Sequence, residues 1–207
     1  MKVIILTGKA APVLFPAAEC VVVRTLGELE RHPDADLYVD LDFTIDEMRL
    51  SALSRMLPSP VMVNAVTTTI AGIGHPFIRI NGWPGMLERG VHELVVPDAQ
   101  VAAQVAQLYE MQGQSYRVAP DIPGMITPRI LAVLINEAWH TWQEGVSGKE
   151  EIDTAMKLGT NYPMGPFEWG SRIGLHRVVE LLDVLSRTDP RYIPANSLKK
   201  AGSGIKI

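Results

Sequence analysis

One change of pattern constrains this chain more than any other feature. Up to about Ala119, short apolar runs alternate with turn-rich or amphipathic segments. From Asp121-Ile122-Pro123-Gly124 onward, every segment carries helical spacing. Pro and Gly together punctuate a backbone, so the boundary falls there. The spacing predicts an α/β unit over 1-120 and a helical unit over 121-207.

In the first unit, KVIIL, CVVVR, DLYVDLD, VMVNAV, FIRING, HELVVP and YRVA read as strands, each a short run with turn residues at its ends. Between them, LGELERH reads as a short helix. TIDEMRLSALSRML reads as a helix with Ile45, Met48, Leu53 and Leu57 on its apolar face and a Thr44–Glu47 capping box. DAQVAAQVAQLYEMQG reads as a helix capped by Asp98, with Val101, Val105 and Leu108 inward and Gly113 closing it. Strands alternating with helices predict a sheet that is at least partly parallel.

In the second unit, PRILAVLINEAWHTWQEG places Ile130, Leu131, Leu134, Ile135, Ala138, Trp139 and Trp142 on one broad apolar stripe, with Gly145 ending the helix. Ser147 with Glu150 predicts a capping box for KEEIDTAMKLG, whose first turn is acidic, as the helix dipole favours. FEWGSRIGLHRVVELLDVLSRT reads as helix, kinked near Gly174. DPRYIPAN reads as irregular, and the stretch beyond Leu198 as a polar tail.

Composition narrows the function classes. A formal net charge of -4 carries no basic footprint, so nucleic acid is not an expected partner. No apolar stretch approaches the roughly 20 residues that span a bilayer, and Met1-Lys2 with the short run VIIL lacks the pattern of a secretory leader. A cytoplasmic protein is expected. The single cysteine, Cys20, cannot form an internal disulfide and is expected as a small core residue.

The helical strings resemble a known family. PGMITPRIL is similar to PGFIVNRIL of the 3-hydroxyacyl-CoA dehydrogenases, and NEAWHTWQEGVSGKEEIDTAMKLGTNYPMGPFEW is similar to that family's C-terminal run. MKLGTNYPMGPFE is the specific part. The likeness extends through IGL, DPRY and SLKK, and more faintly back through ADLYVDLD, the strand at Asn64 and the helix before Tyr116. It implies a Rossmann-like sheet domain that holds NAD, followed by a helical domain that forms a homodimer. It also implies an acyl-CoA cleft between the domains, where a histidine–glutamate pair takes the proton during hydride transfer.

The residues on which that chemistry falls are altered. A dinucleotide turn follows the first strand with G-x-G-x-x-G and opens a helix. Here Thr7-Gly8-Lys9-Ala10-Ala11-Pro12 stands there, with Pro16 beyond and the next strand beginning by Val21. That spacing leaves no room for an ordinary crossover helix. An ordinary turn is the expected role of Gly8-Lys9, an anion cradle the alternative, and no cofactor is expected beyond the NAD that the resemblance implies. The family histidine falls on Ile80 or Asn81, depending on the gap, and the glutamate on His92 or Glu93. The family serine falls on Val66 and the family asparagine on Pro128. Neither Ile nor Asn is a base near neutral pH.

The resemblance thus leaves Asn64, Thr67, Asn81, His92 and Glu93 as the expected cleft residues. His75 is expected in a turn and His92 at a solvent-facing strand position. Trp139 and Trp142 are expected in a core or dimer interface, and Asn161, Tyr162 and Met164 as braces between helices, with Gly165-Pro166 shaping the next helix start. Three readings follow: a degenerate homologue that keeps acyl-CoA or protein binding, a divergent active oxidoreductase, and an interaction module for another enzyme chain.

Overall fold

The computed structural model describes residues 1–204. It has two compact units, Met1–Met125 and Ile126–Ile207.

The first unit is built on a seven-stranded sheet ordered β2-β1-β3-β4-β5-β6-β7. Its strands are β1 (Lys2–Leu6), β2 (Glu19–Val23), β3 (Leu37–Asp40), β4 (Val61–Asn64), β5 (Ile78–Ile80), β6 (Val91–Val95) and β7 (Ser115–Val118). Every neighbouring pair is parallel except β5–β6. The central strands read as continuous apolar runs because both faces of a largely parallel sheet are covered.

One face packs Val3, Ile5, Val39, Met62 and Leu94 against Leu14, Phe15 and the inner side of the helix α4 (Ala99–Met111). The other packs Ile4, Tyr38 and Val63 against α1 (Leu26–Leu29), α2 (Glu47–Ser54) and the end of α3 (Ile70–Ile73). The route from β1 to β2 is irregular: no helix lies between Leu6 and Glu19. Leu14 and Phe15 (0% and 1% exposed) cover the sheet there instead.

Several local expectations are corrected. α2 is capped by Asp46, which accepts from the Arg49 amide at 2.9 Å, so the Thr44–Glu47 box does not form. Ile45 and Met48 are exposed because the helix begins later and turns Ala52 and Leu53 inward. Cys20 is exposed, since β2 is an edge strand with one neighbour. α3, to which the sequence reading assigned no element, forms because Thr69 caps a single helical turn.

The second unit holds α5 (Thr127–Gln143), α6 (Lys149–Thr160), α7 (Pro166–Ile173), α8 (Leu175–Ser186) and α9 (Asn196–Gly202). Gly174, at φ 96°, separates α7 from α8. α6 is capped one residue later than expected, by Gly148 and not Ser147; the Glu151 carboxylate, not Glu150, accepts from the Gly148 amide at 3.1 Å and the Ser147 hydroxyl at 2.6 Å. The expected polar tail is helix α9, anchored by fully buried Leu198. Ile130 points to solvent rather than into the stripe. Asn161 is the left-handed cap of α6; it and Tyr162 are exposed, and Met164 is half-buried.

Candidate functional site

In an open parallel sheet, ligands bind beyond the carboxyl ends of the strands, where the strand order reverses. Here the reversal lies between β1 and β3. The residues with chemistry stand at that edge, and their positions follow from strand register.

β6 runs antiparallel to β5, with Ile80 opposite Leu94. One step farther, the Asn81 amide donates to the Glu93 carbonyl at 3.0 Å. Their side chains fall on one face, and Asn81 Nδ2 donates to Glu93 Oε2 at 3.1 Å. Asn81 Oδ1 accepts from the Trp83 amide at 3.3 Å. Both residues are buried, at 3% and 9% exposure. A carboxamide held at both ends can orient a neighbour, but it cannot take a proton at neutral pH.

Asn64 belongs to the same edge. Its Nδ2 donates to the Leu41 carbonyl at 3.1 Å and its Oδ1 accepts from the Gly82 amide at 3.0 Å. A Cβ on Gly82 would lie 2.6 Å from Asn64 Cγ, so only glycine permits this approach. Val66 is buried and offers no polar side-chain atom; its carbonyl accepts from the Gly124 amide at 2.8 Å and from Arg79 Nη2 at 3.3 Å. Thr67 follows, half-buried. Pro128 is in the second unit, buried in the first turn of α5, where proline's missing N–H costs nothing.

His92 is on the opposite face from Glu93, as alternation along a strand requires. It is buried, not solvent-facing, because Tyr109 of α4 and the Leu87 turn close over the start of β6. Its Nε2 lies 3.1 Å from the Leu87 carbonyl, which can only accept, so Nε2 carries the proton and Nδ1 accepts from the Tyr109 hydroxyl at 2.9 Å. Burial pushes the imidazole below its usual range and favours the neutral ring. Hence the structure brings Asn64, Asn81 and Glu93 together and sets His92 apart. His75 does sit in a turn, with Nδ1 2.8 Å from Ser54 Oγ and its ring stacked on Phe77.

The phosphate side of the edge has a different occupant. The Gly8 amide donates to Asp42 Oδ2 at 2.6 Å, and the Thr7 hydroxyl donates to the same oxygen at 3.1 Å. The Lys9 amide donates to Thr7 Oγ1 at 3.2 Å. From the other side, Arg24 Nη1 donates to the Thr7 carbonyl at 2.7 Å and also to the Lys9 carbonyl. Next to this turn, fully buried Asp40 holds Arg49 through bonds of 2.5 and 2.8 Å. A dinucleotide pyrophosphate needs free backbone N–H groups at a helix N-terminus. This turn opens no helix and faces a carboxylate, so the residues present do not fit the group. Asp42 and Arg24 were not among the expected site residues. The signal for Asp42 was a carboxylate just past a strand that neighbours β1.

In the helical unit, Lys149 Nζ lies over the rings of Trp139 and Trp142, at 4.4 and 4.0 Å from their centroids. Trp139 is buried and Trp142 half-buried. Asp153, also buried, accepts from the Phe167 and Glu168 amides at 2.8 and 3.1 Å and so caps α7 from a neighbouring helix. Among the described residues, no group of three or more His, Cys, Asp or Glu could hold a metal ion. Among them, no helix is long and apolar enough to cross a membrane.

Comparison with known proteins bears on both units. Residues 124–203 match the family described as 3-hydroxyacyl-CoA dehydrogenase, C-terminal domain. The chain is 35% identical over 130 residues to the 3-hydroxyadipyl-CoA dehydrogenase of Escherichia coli, covering 62% of this chain and 27% of that protein. It is 43% identical over 90 residues to a 3-hydroxybutyryl-CoA dehydrogenase of Bradyrhizobium diazoefficiens, covering 42% of this chain and 31% of that one. Among solved structures, the (S)-3-hydroxybutyryl-CoA dehydrogenase of Ralstonia eutropha superposes with a TM-score of 0.71 at 25% identity, over 90% of this chain and 71% of that one. The matches to the two curated relatives therefore span less than a third of each.

Proposed function

The helical unit is a 3-hydroxyacyl-CoA dehydrogenase C-terminal domain, and from that premise we propose that this chain is a non-catalytic relative of those dehydrogenases that acts by binding, with an acyl-CoA thioester or a partner protein as its ligand. One observation carries the reading. The strand register pairs Asn81 with Glu93, with Ile80 and His92 each in the apolar core beside that pair. By the resemblance, Asn81 then holds the place of the histidine base while the glutamate type is retained. The carboxylate orients a carboxamide, which accepts no proton. The same glutamate therefore braces a turn in place of supporting a base.

The test is NADH-dependent reduction of acetoacetyl-CoA by the pure protein. The expected rate equals that of buffer alone. Turnover that disappears on changing Asn81 or Glu93 would overturn the reading and favour a divergent oxidoreductase.

The proposal includes self-association through the C-terminal helices. Ile126, Ile130 and Val133 recur along one side of α5 at 44%, 57% and 40% exposure, and Leu158 and Tyr162 are exposed on and just after α6. Apolar side chains at helical spacing on a solvent face suit an isologous dimer. Light scattering on the eluting protein should give twice 22.7 kDa. A monomer would instead support the reading as a docking module for another chain. A cytoplasmic location is part of the proposal.

A further inference from the structure

The turn after β1 holds its polar groups in an arrangement that a lost cofactor loop need not have. A loop that has only lost its glycines would leave its amides to water. Here the Gly8 amide and the Thr7 hydroxyl converge on one oxygen of Asp42, at 2.6 and 3.1 Å. The Asp42 carboxylate reaches this point from 34 residues along the chain, past the end of β3. Its own amide is fixed in turn, donating to Asp40 Oδ1 at 3.1 Å. Asp40 is fully buried and held by Arg49. The carboxylate is thus anchored through its backbone. On the opposite side of the turn, Arg24 takes the Thr7 and Lys9 carbonyls. The turn is clamped by an anion on its N–H side and a cation on its carbonyl side, and each charge matches the dipoles it meets.

Gly8 adds a steric clue. A Cβ there would lie 3.6 Å from Asp42 Oδ2, an ordinary contact. The glycine is therefore not needed for the packing of this turn with Asp42.

We propose that Asp42 is an intramolecular anion occupying the donors of a latent anion-binding turn, so that this crevice refuses the pyrophosphate of a dinucleotide because it is already filled. The proposal rests on the non-catalytic reading above and assigns the exclusion to one residue. Removing the carboxylate frees one amide and one hydroxyl and lifts a negative charge from the crevice. Charge-assisted hydrogen bonds are about twice as strong as neutral ones, so apparent affinity for an anion should rise about tenfold or more.

The probe is inorganic pyrophosphate, titrated into isotopically labelled full-length protein while the amide resonances of Thr7, Gly8 and Lys9 are followed. The natural chain should show no saturable shift at millimolar pyrophosphate. Asp42→Ala should show a saturable shift at Gly8, tighter by about tenfold or more. Asp42→Asn, which keeps the shape and can still accept from Gly8, should fall between them. If Asp42→Ala does not fold, a Gly8 shift in Asp42→Asn alone supports the proposal, and none there overturns it. Equal affinity in the natural chain and the variants overturns it. So does a folded Asp42→Ala whose Gly8 amide ignores pyrophosphate. A natural chain that reduces acetoacetyl-CoA while its Gly8 amide ignores pyrophosphate would instead sink the non-catalytic reading and leave the filled turn standing.

Discussion

The sheet unit and the helical unit both bury polar side chains, but they use them differently. In the helical unit these groups join helices. Asp153 caps α7, and Asn136 ties α5 to the turn before α9 by donating to the Ile193 carbonyl at 3.0 Å and accepting from the Ala195 amide at 2.8 Å. In the sheet unit several stand at or just past the carboxyl ends of strands, where an α/β fold presents its chemistry: Asn64 ends β4, Asn81 follows β5 and Asp42 follows β3. These three, with Glu93 within β6 and Arg79 within β5, are engaged with neighbours in the same unit. A polar group that holds architecture must stay if the fold is to stay. A polar group that performs chemistry can be exchanged while the apolar pattern keeps the sheet. On the proposed non-catalytic reading, this accounts for MKLGTNYPMGPFE remaining a recognisable string while the phosphate turn and the base position are altered.

The contrast can be broken where it is strongest. A Cβ on Gly165 would lie 2.3 Å from Asp153 Cγ. Gly165→Ala must therefore expel Asp153 from the cap of α7, losing two charge-assisted bonds and overpacking the site. The expected cost is about 4 kcal/mol in denaturant unfolding. A loss under about 1 kcal/mol, within ordinary surface scatter, would mean that the string is not held by this contact.

The matching change in the sheet unit is Arg79→Met. Arg79 is fully buried, donates to the Ala65, Val66 and Ile122 carbonyls and pairs with Asp121 at 2.6 Å. Removing one partner of such a pair should cost about 3 kcal/mol, since Asp121 keeps some access to water. The loss should appear in hydrogen exchange at Ile70, whose amide donates to Asp121 at 3.0 Å.

A smaller effect separates His92 from catalysis. Its folded-state pKa lies below the ordinary 6.5. The unfolded chain therefore binds a proton first as pH falls. The stability that His92 contributes is complete above about 6.5 and is lost as pH drops toward the folded-state value. His92→Gln should remove this part of the acid slope, read as denaturation midpoints on either side of pH 6.5. An unchanged slope would show that His92 is not held neutral.

The smallest effect is expected from the most suggestive substitution. Asn81→His restores a base beside Glu93, yet acetoacetyl-CoA reduction with NADH should stay at the buffer rate, because the turn after β1 still lacks a place for the cofactor. Turnover by this variant would show that only the base was missing.

Much of the fold was legible because strands carry apolar runs and helices carry their caps in sequence. What was misread shows where such signals stop. α3 is four residues long, too short to display helical spacing, and the sequence reading assigned it no element. α9 reads as polar tail because one residue, Leu198, supplies its deepest anchor. Cys20 reads as core because an edge strand and a central strand share the same composition. At the site, the sequence leaves Ile80 or Asn81 and His92 or Glu93 open, and the antiparallel register of β6 sets the Asn81 and Glu93 side chains within hydrogen-bond distance of each other. His92 was misplaced because the cover over it comes from Tyr109, on a different element. Asp42 carries only its place just past a strand as a signal, because its role is a contact across 34 residues, which no local pattern encodes.

The central claim is that this sheet unit keeps the shape of a dinucleotide-binding fold without its cofactor site. Calorimetric titration of the natural chain with NAD and then NADH tests it most directly. The account predicts no heat beyond dilution at millimolar cofactor, from protein shown to be folded. A saturable, one-site isotherm with either nucleotide would contradict it.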